Sequence, residues 1–568
     1  MKQLHLFCIS IILLCFSCKK EQPTNTKIPP ILGAIADSAM VVSAREEASK
    51  IGSDIMKQGG NAFDAMFATE MALAVSFPFA GNLGGGGFMV YRLNDGTTGA
   101  LDYREKAPMA ASPEMYLDDE GQPIANLSTQ GALAVGVPGT VAGIFAAHKR
   151  FGKLPVEKLL QPVIELAQNG FIITEKQARR FAAYDSIITV TSGKQTPVNK
   201  SVKAGSRYTN QALAETLAKI AKSGRDEFYQ GSTAKVLVDY LQQRGGIITM
   251  DDMAAYEAKW RKPVEFDYGD YHIISMSPPS SGGICLGQIM KMVEPFDIAE
   301  YGHNSLKTMQ VMVEAERRAY ADRSFYLGDP DFVDIPDTTL LSDAYLSERM
   351  ANFSFEGATP SEEISYGMIP GYESNETTHY SIVDSYGNAI SVTTTLNGAY
   401  GSKLYIEELG IFLNNEMDDF SMKPGEPNMF GLIGGQANAI EPEKRMLSSM
   451  TPTIVEKNNK FYMTLGTPGG STIITSVLQT ILNVTDFHMG MQEAVNAPRF
   501  HHQWLPDNIR LEPERFDPKL IDSLQERGYS INEAYSSIIG IVDGIKKMEN
   551  GQLEGGADPR GDDAAIGF

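Results

Sequence analysis

Cysteine is scarce: the 568 residues hold four, and three of them, Cys8, Cys15 and Cys18, fall within the first eighteen positions. That excludes a disulfide-built scaffold, and the one Cys-x-x-Cys, Cys15 to Cys18, has no second pair to complete a structural zinc site. Positive charge is also short. There are 49 Lys and Arg against 70 Asp and Glu, a net charge of −21, with no basic tail. Such a chain is a poor partner for nucleic acid. Beyond the N-terminus no apolar run reaches the ~20 residues that span a bilayer as a helix. H-E-x-x-H, G-x-S-x-G and a Lys-Ser/Thr pair after a glycine loop are missing too. Zinc-protease, α/β-hydrolase and Walker-loop chemistries are thereby set aside. The run Gly84–Gly87 reads instead as a tight connection into a strand at 88–93. No unit of 20–50 residues recurs along the chain.

What is present begins with a leader. Met1-Lys2 precedes an apolar stretch from Leu4 to Phe16 that ends at Ser17-Cys18. It is too short for a transmembrane helix and fits a secretory signal over residues 1–17. Cys15-Phe16-Ser17-Cys18 resembles a bacterial lipobox, with Cys15 where leucine is usual. Lipidation at Cys18 is expected in preference to plain cleavage. Residues 18–37, with Lys19, Lys20, Pro23, Pro29 and Pro30, read as a tether. The implied address is the bacterial envelope, periplasmic or anchored to the outer membrane, with the lipid as the sole membrane contact. Cys285 is then left as a buried thiol.

The remainder has ordinary globular composition, 43% hydrophobic and 21% charged. Ser43-Ala44-Arg45-Glu46 has capping-box spacing ahead of a helix that carries Ala48, Ile51 and Ile55 on one face and ends at Gly59-Gly60. Asn61 caps a second helix through about Val75. Asn94-Asp95-Gly96 marks a hairpin between 88–93 and 97–103. The middle third reads mainly helical, over 155–169, 210–222, 232–244 and 304–325. From 377 the texture changes to hairpins. They are 378–384 with 389–396, 452–457 with 461–465 around Asn458-Asn459, and the short runs 538–542 and 545–548. A helix at about 471–483 follows Gly469-Gly470. Helices followed by stacked hairpins predict a layered α/β or α+β body rather than a Rossmann domain. His501-His502 would face opposite sides of a strand, which favours packing and hydrogen bonds over a shared metal.

Threonine is the remaining chemistry. Thr377-Thr378-His379 opens the first late hairpin and Thr393-Thr394-Thr395-Leu396-Asn397 closes it. With the turn centred between Tyr386 and Gly387, Thr395 falls opposite Thr378, one step from Thr377, so a hydroxyl of one strand reaches the other. Threonine is also simply a good strand former, and the residues alone leave both readings open.

These residues belong to a longer set. Thr377–Ser381, Gly387-Asn388-Ala389, Thr395-Leu396-Asn397, Leu413–Phe420, Leu447–Met450, Pro468–Ser471 and Asn496–His502 resemble the gamma-glutamyltranspeptidase family. So do Gly81–Gly87, Leu101–Glu105, Pro278–Gly283 and Ala319–Arg323, in the family's order over roughly 38–568. The resemblance implies an N-terminal-nucleophile hydrolase, an α+β fold built as an αββα sandwich. It implies one precursor that cuts itself between Glu376 and Thr377 into a large part, 38–376, and a small part, 377–568, that stay together. Thr377 would be the nucleophile. Its freed α-amine, with an ordinary pKa of about 7.7–8.0, would be the base.

The same resemblance assigns the other roles. Thr395 would bond the nucleophile. Gly469 and Gly470 would form the oxyanion hole, and two glycines ahead of a helix independently suit that task. Arg104, Ser448 and Ser449 would hold the α-carboxylate of the substrate; Asn397, Glu416 and Asp419 would surround its α-amino group. Phe430 stands on a lid loop, 424–437, where several bacterial members carry tyrosine. Glutathione or another gamma-glutamyl compound would be the donor, with water, amino acids or short peptides as acceptors and no cofactor or metal. One rival is a cephalosporin or glutaryl acylase of the same fold, which needs no site for a free α-amino acid end. Arg104, Asp419 and Ser448-Ser449 argue against it. The other rival is a non-catalytic amino-acid-binding homologue, against which Thr377, Thr395 and Gly469-Gly470 argue.

Overall fold

The computed structural model describes residues 31–365, 377–423, 425–532 and 538–568. The leader, Cys18 and Glu376 lie outside the described residues.

Two seven-stranded antiparallel sheets form the centre. The first runs, in spatial order, Ala564–Gly567, Met40–Ser43, Thr378–Val383, Ala389–Thr395, Gly86–Arg92, Thr98–Asp102 and Lys259–Arg261. The second runs Ala34–Ala36, Leu553–Gly556, Asp543–Lys547, Lys460–Gly466, Thr453–Lys457, Tyr271–Ser275 and Val264–Tyr268. Side chains alternate across each strand. In Thr378–Val383, Tyr380 and Ile382 join a core with the helices Glu46–Lys57 and Ala62–Ser76 on the outer face. Ser381 points the other way and donates to the Asp543 carbonyl of the second sheet at 3.2 Å. Ser391 likewise donates to Leu465 O at 2.9 Å. Helices Gly282–Val293 and Thr472–Thr485 pack with the second sheet's apolar residues. The layers are therefore helix, sheet, sheet, helix, as expected.

Both central strands of the first sheet are buried along their whole length, which is why they read as threonine-, valine- and isoleucine-rich runs. Strands from before and after residue 377 pair with one another in both sheets. Thr378–Val383 pairs with Met40–Ser43, Ala389–Thr395 with Gly86–Arg92, Thr453–Lys457 with Tyr271–Ser275, and Leu553–Gly556 with Ala34–Ala36.

Several expectations need correction. Ser43 is no helix cap; it ends a strand, and its hydroxyl meets Arg45 O and Ser49 Oγ, while the helix starts at Glu46 without a side-chain cap. The middle third is mainly helical, as expected, but one hairpin interrupts it. Val264–Tyr268 and Tyr271–Ser275 form a hairpin, and the alternation of Val264, Phe266 and Tyr268 inward was its signal. The last hairpin is Asp543–Lys547 with Leu553–Gly556, set by the Asn550-Gly551 turn rather than by 538–542. Gly540 has φ +69°, and Ile541 N donates to Thr467 Oγ1 at 2.7 Å, which bends that segment out of the ladder.

Candidate active site

The hairpin that carries the threonines is pinned at its turn. One Asp384 carboxylate oxygen accepts from Tyr386 N and Asn388 N, each at 2.9 Å; the other accepts from Ala62 N at 2.9 Å. That centres the turn on Tyr386, half a residue from the expected point. Thr378 then pairs with Thr394, not Thr395. The corrected register sets Thr395 across from Thr377, the residue just ahead of the strand. Thr395 Oγ1 accepts from Asn397 N at 2.8 Å, and its carbonyl accepts from Asn82 Nδ2 at 2.9 Å. The glycine run wraps this strand end: a Cβ on Gly85 would lie 2.0 Å from Thr395 O, so only glycine fits.

Thr377 and Thr395 open on a cleft of about 290 Å³. Arg104, Asn397, Asp419, Phe430, Ser448, Ser449 and Gly470, all expected, line it as well. Gly469 stands one residue behind the wall and Glu416 behind Arg104. Gly469 and Gly470 have φ +144° and +54° ahead of helix Thr472–Thr485, conformations that favour glycine.

Charge in the cleft is concentrated and balanced. The Arg104 guanidinium, 1% exposed, meets Glu416 Oε2 at 2.6 Å with one Nη and Asp419 Oδ2 at 2.5 Å with the other. Burial works against its charge, but Glu416, Asp419 and Glu105 together hold its pKa above the ordinary arginine value. The carboxyls respond to the same burial and crowding. Glu105 is pushed up to about 8 by burial, with Arg104 only partly offsetting it. Glu416 is raised well above the usual range by burial and by Glu105 and Asp419. Asp419 is raised less, because Arg104, Arg323 and the Asn428 amide favour its charged form.

The loop 425–435 closes over this array. It is a small hairpin, with Pro427 bridged to Ile433 and Gly425 N donating to Gly434 O at 3.1 Å. Two acids hold it down. Asn428 Nδ2 donates to Asp419 Oδ1 and Met429 N to Asp418 Oδ2, both at 2.9 Å. Burial raises Asp418 to about 6. The Phe430 ring lies against Gly470, where a Cβ would come within 2.6 Å of it.

His501 and His502 are buried in hydrogen bonds, His501 to Thr475 and Gln503 and His502 to Asp507 and Trp504 N. Arg323, Leu432, Met450 and Ile473 also line the cleft. Sequence reasoning gave them no role. For Arg323 the available signal was its place in the Ala319–Arg323 motif.

Stacked antiparallel sheets between helices, with a threonine heading a central strand at the mouth of a cleft, define the N-terminal-nucleophile hydrolase class. A solved cephalosporin acylase from Bacillus halodurans has this fold with a TM-score of 0.81, 25% identity, and coverage of 96% of this chain and 99% of that one. Residues 48–568 match the gamma-glutamyltranspeptidase family, and the chain belongs to it. It is 45% identical to the glutathione hydrolase proenzyme of Escherichia coli (strain K12), over 98% of this chain and 97% of that protein. The solved gamma-glutamyltranspeptidase of Helicobacter pylori is 41% identical, with a TM-score of 0.56 over 60% of this chain and 97% of that one.

Proposed function

We propose that this protein is a self-processing gamma-glutamyl transferase and hydrolase that acts through Thr377. In the precursor, the Thr377 hydroxyl attacks the Glu376 carbonyl, the acyl group moves from nitrogen to oxygen, and water hydrolyses the ester. This frees the α-amine of Thr377, which before cleavage is an amide and accepts no proton. The amine then takes the hydroxyl proton as Thr377 Oγ1 attacks the γ-carbonyl of the donor, and passes it to the leaving amine. Water or an acceptor amine resolves the ester in the same way.

Thr395 supports this by hydrogen bonding. Its oxygen accepts from Asn397 N, which leaves its O–H as the donor toward Thr377. The N–H groups of Gly469 and Gly470 serve the developing oxyanion, and losing one such donor typically costs about 3 kcal/mol. Arg104, Ser448 and Ser449 take the α-carboxylate; Asp419, Glu416 and Asn397 take the α-ammonium. Ser448 Oγ accepts from Met450 N at 3.1 Å, which leaves its proton to donate. Glutathione as donor follows the name of the Escherichia coli relative. The envelope address and lipid at Cys18 belong to the same reading. Among the described residues no helix is long and apolar enough to cross a membrane.

The observation that carries this reading is the register that sets Thr395 across from Thr377 beside the Arg104–Asp419 pair. The acylase reading rests on the shared fold but brings no substrate ammonium for Asp419 to meet. A gamma-glutamyl anilide and a glutaryl anilide, which lacks only the α-amino group, separate the two. The gamma-glutamyl compound is expected to be turned over far better and to acylate the 377–568 fragment. Equal or better turnover of the glutaryl compound would contradict it.

A further inference from the structure

Arg323 lies near the end of helix Leu306–Tyr326, is 4% exposed and lines the cleft. Its guanidinium donates through Nε to Ser281 Oγ at 2.9 Å and through Nη2 to Ser449 Oγ at 3.2 Å. Among the described residues no carboxylate stands within ion-pairing distance of it. The five largest fully buried arginines differ in this respect. Arg104 meets Glu416 and Asp419, Arg317 and Arg318 meet Glu314, Arg445 meets Asp102, and Arg499 meets Asp558. A guanidinium held out of water without a counter-ion is costly, and burial pulls that of Arg323 below its ordinary pKa. Arg104, by contrast, already faces a carboxylate with each of its terminal nitrogens. Asp419 acts on Arg323 only from beyond contact distance, so Arg323 is the arginine of the cleft with no carboxylate directly against it.

Hydrogen-bond direction sharpens the point. Arginine only donates, so both serine oxygens accept from it. Ser281 gives its own proton to Ser448 O at 2.7 Å, and its N–H donates to the same carbonyl at 2.8 Å. Ser449 lines the cleft, and with its oxygen accepting from Arg323 its own proton is left to donate to another partner. One side chain thus braces the Ser448-Ser449 backbone, orients a hydroxyl and supplies positive charge.

We propose that Arg323 is a specificity-determining positioning residue, which makes the cleft require a free α-carboxylate on the donor by orienting Ser449 toward it and balancing its charge. This rests on the gamma-glutamyl reading above and adds a residue to it.

The test compares a gamma-glutamyl anilide with a 4-aminobutyryl anilide, which keeps the amine and lacks only the α-carboxylate. The purified, self-cleaved protein and its Arg323→Gln, Arg323→Lys, Ser449→Ala and Arg323→Gln/Ser449→Ala variants are assayed with both. The ratio of kcat/KM for the two donors should fall about 10- to 100-fold in Arg323→Gln, mostly through KM. It should fall less in Arg323→Lys, which keeps the charge. Adding Arg323→Gln to Ser449→Ala should lower the ratio by less than the same change does in the parent. A ratio unchanged in Arg323→Gln, with both donors lowered together, assigns Arg323 a purely structural role and overturns the inference while the gamma-glutamyl reading stands. If Arg323→Gln does not self-cleave, an unchanged ratio in Arg323→Lys overturns it equally. A parent that does not distinguish the two donors contradicts the gamma-glutamyl reading itself and the inference with it.

Discussion

Asp419→Asn removes one charge from the cleft while keeping the shape of the side chain and one acceptor oxygen. Asp419 makes two contacts, to Arg104 Nη2 and to Asn428 Nδ2. The amide can keep one of them by orientation, and Arg104 retains Glu416 at 2.6 Å. The protein loses little, then, and the loss falls on the substrate's α-ammonium. A hydrogen bond to a charged group contributes about 1.5–3 kcal/mol, and stripping one partner from a desolvated pair costs about 2–5 kcal/mol. The cleft is open at its mouth and Glu416 remains, so the lower part applies, about 2–3 kcal/mol. That is a rise in KM of about 30- to 150-fold for a gamma-glutamyl anilide. Initial rates across a range of donor concentration give KM and kcat separately, and the glutaryl anilide supplies the control. Its KM should hardly move, because it brings no ammonium, and denaturing gels should show self-cleavage intact. A KM for the gamma-glutamyl donor equal to the parent's, or an equal rise for both donors, would refute the placement of Asp419.

Phe430→Ala should shift the partition between free glutamate and gamma-glutamyl dipeptide at fixed acceptor concentration, because the ring covers the Gly470 side of the cleft; an unchanged ratio leaves Phe430 as loop packing. Gly470→Ala places a Cβ 2.6 Å from that ring on a backbone at φ +54° and should lower kcat by about 100-fold, with partial recovery when Phe430→Ala is added. Burial pushes His379, His501 and His502 down to about 3, 3 and 4, while the unfolded chain takes up those protons near pH 6.5. Stability should therefore be full above that pH and fall as pH drops through 6.5 toward 4, by up to about 1.4 kcal/mol per pH unit per histidine. Thermal midpoints of His379→Gln should show a shallower acid limb than the parent, and an identical limb would contradict the assignment. The two fragments should co-purify through high salt, since among the described residues five backbone ladders join strands from either side of residue 377.

Local signals carried much of the architecture. Asn61 caps its helix with Asp64 in a reciprocal box, and Asn458-Asn459, both at positive φ, turn a hairpin where the sequence placed one. The site was legible through motifs, and the cleft brings together residues from positions 104 to 470 that no spacing rule connects. What sequence patterns missed was tertiary in origin. The turn that sets the register is held by Asp384, which bonds Tyr386 N and Asn388 N with one oxygen and the N-terminus of a distant helix, at Ala62 N, with the other. The occupied fork of Arg104 and the lack of a carboxylate directly against Arg323 depend on which carboxylates the fold brings near each guanidinium. The strands at 264–275 were overlooked because helices surround them in the sequence, although their period-two pattern was present.

The central claim is that Thr377 becomes a chain end before it becomes a nucleophile. The most direct measurement is denaturing electrophoresis of the purified protein with N-terminal determination of the smaller band, run beside Thr377→Ala and paired with activity on a gamma-glutamyl anilide. The account predicts two bands, the smaller beginning at Thr377, and a single inactive band for Thr377→Ala. Full activity from a demonstrably uncut chain, or a cut at another residue with activity retained in Thr377→Ala, would contradict it.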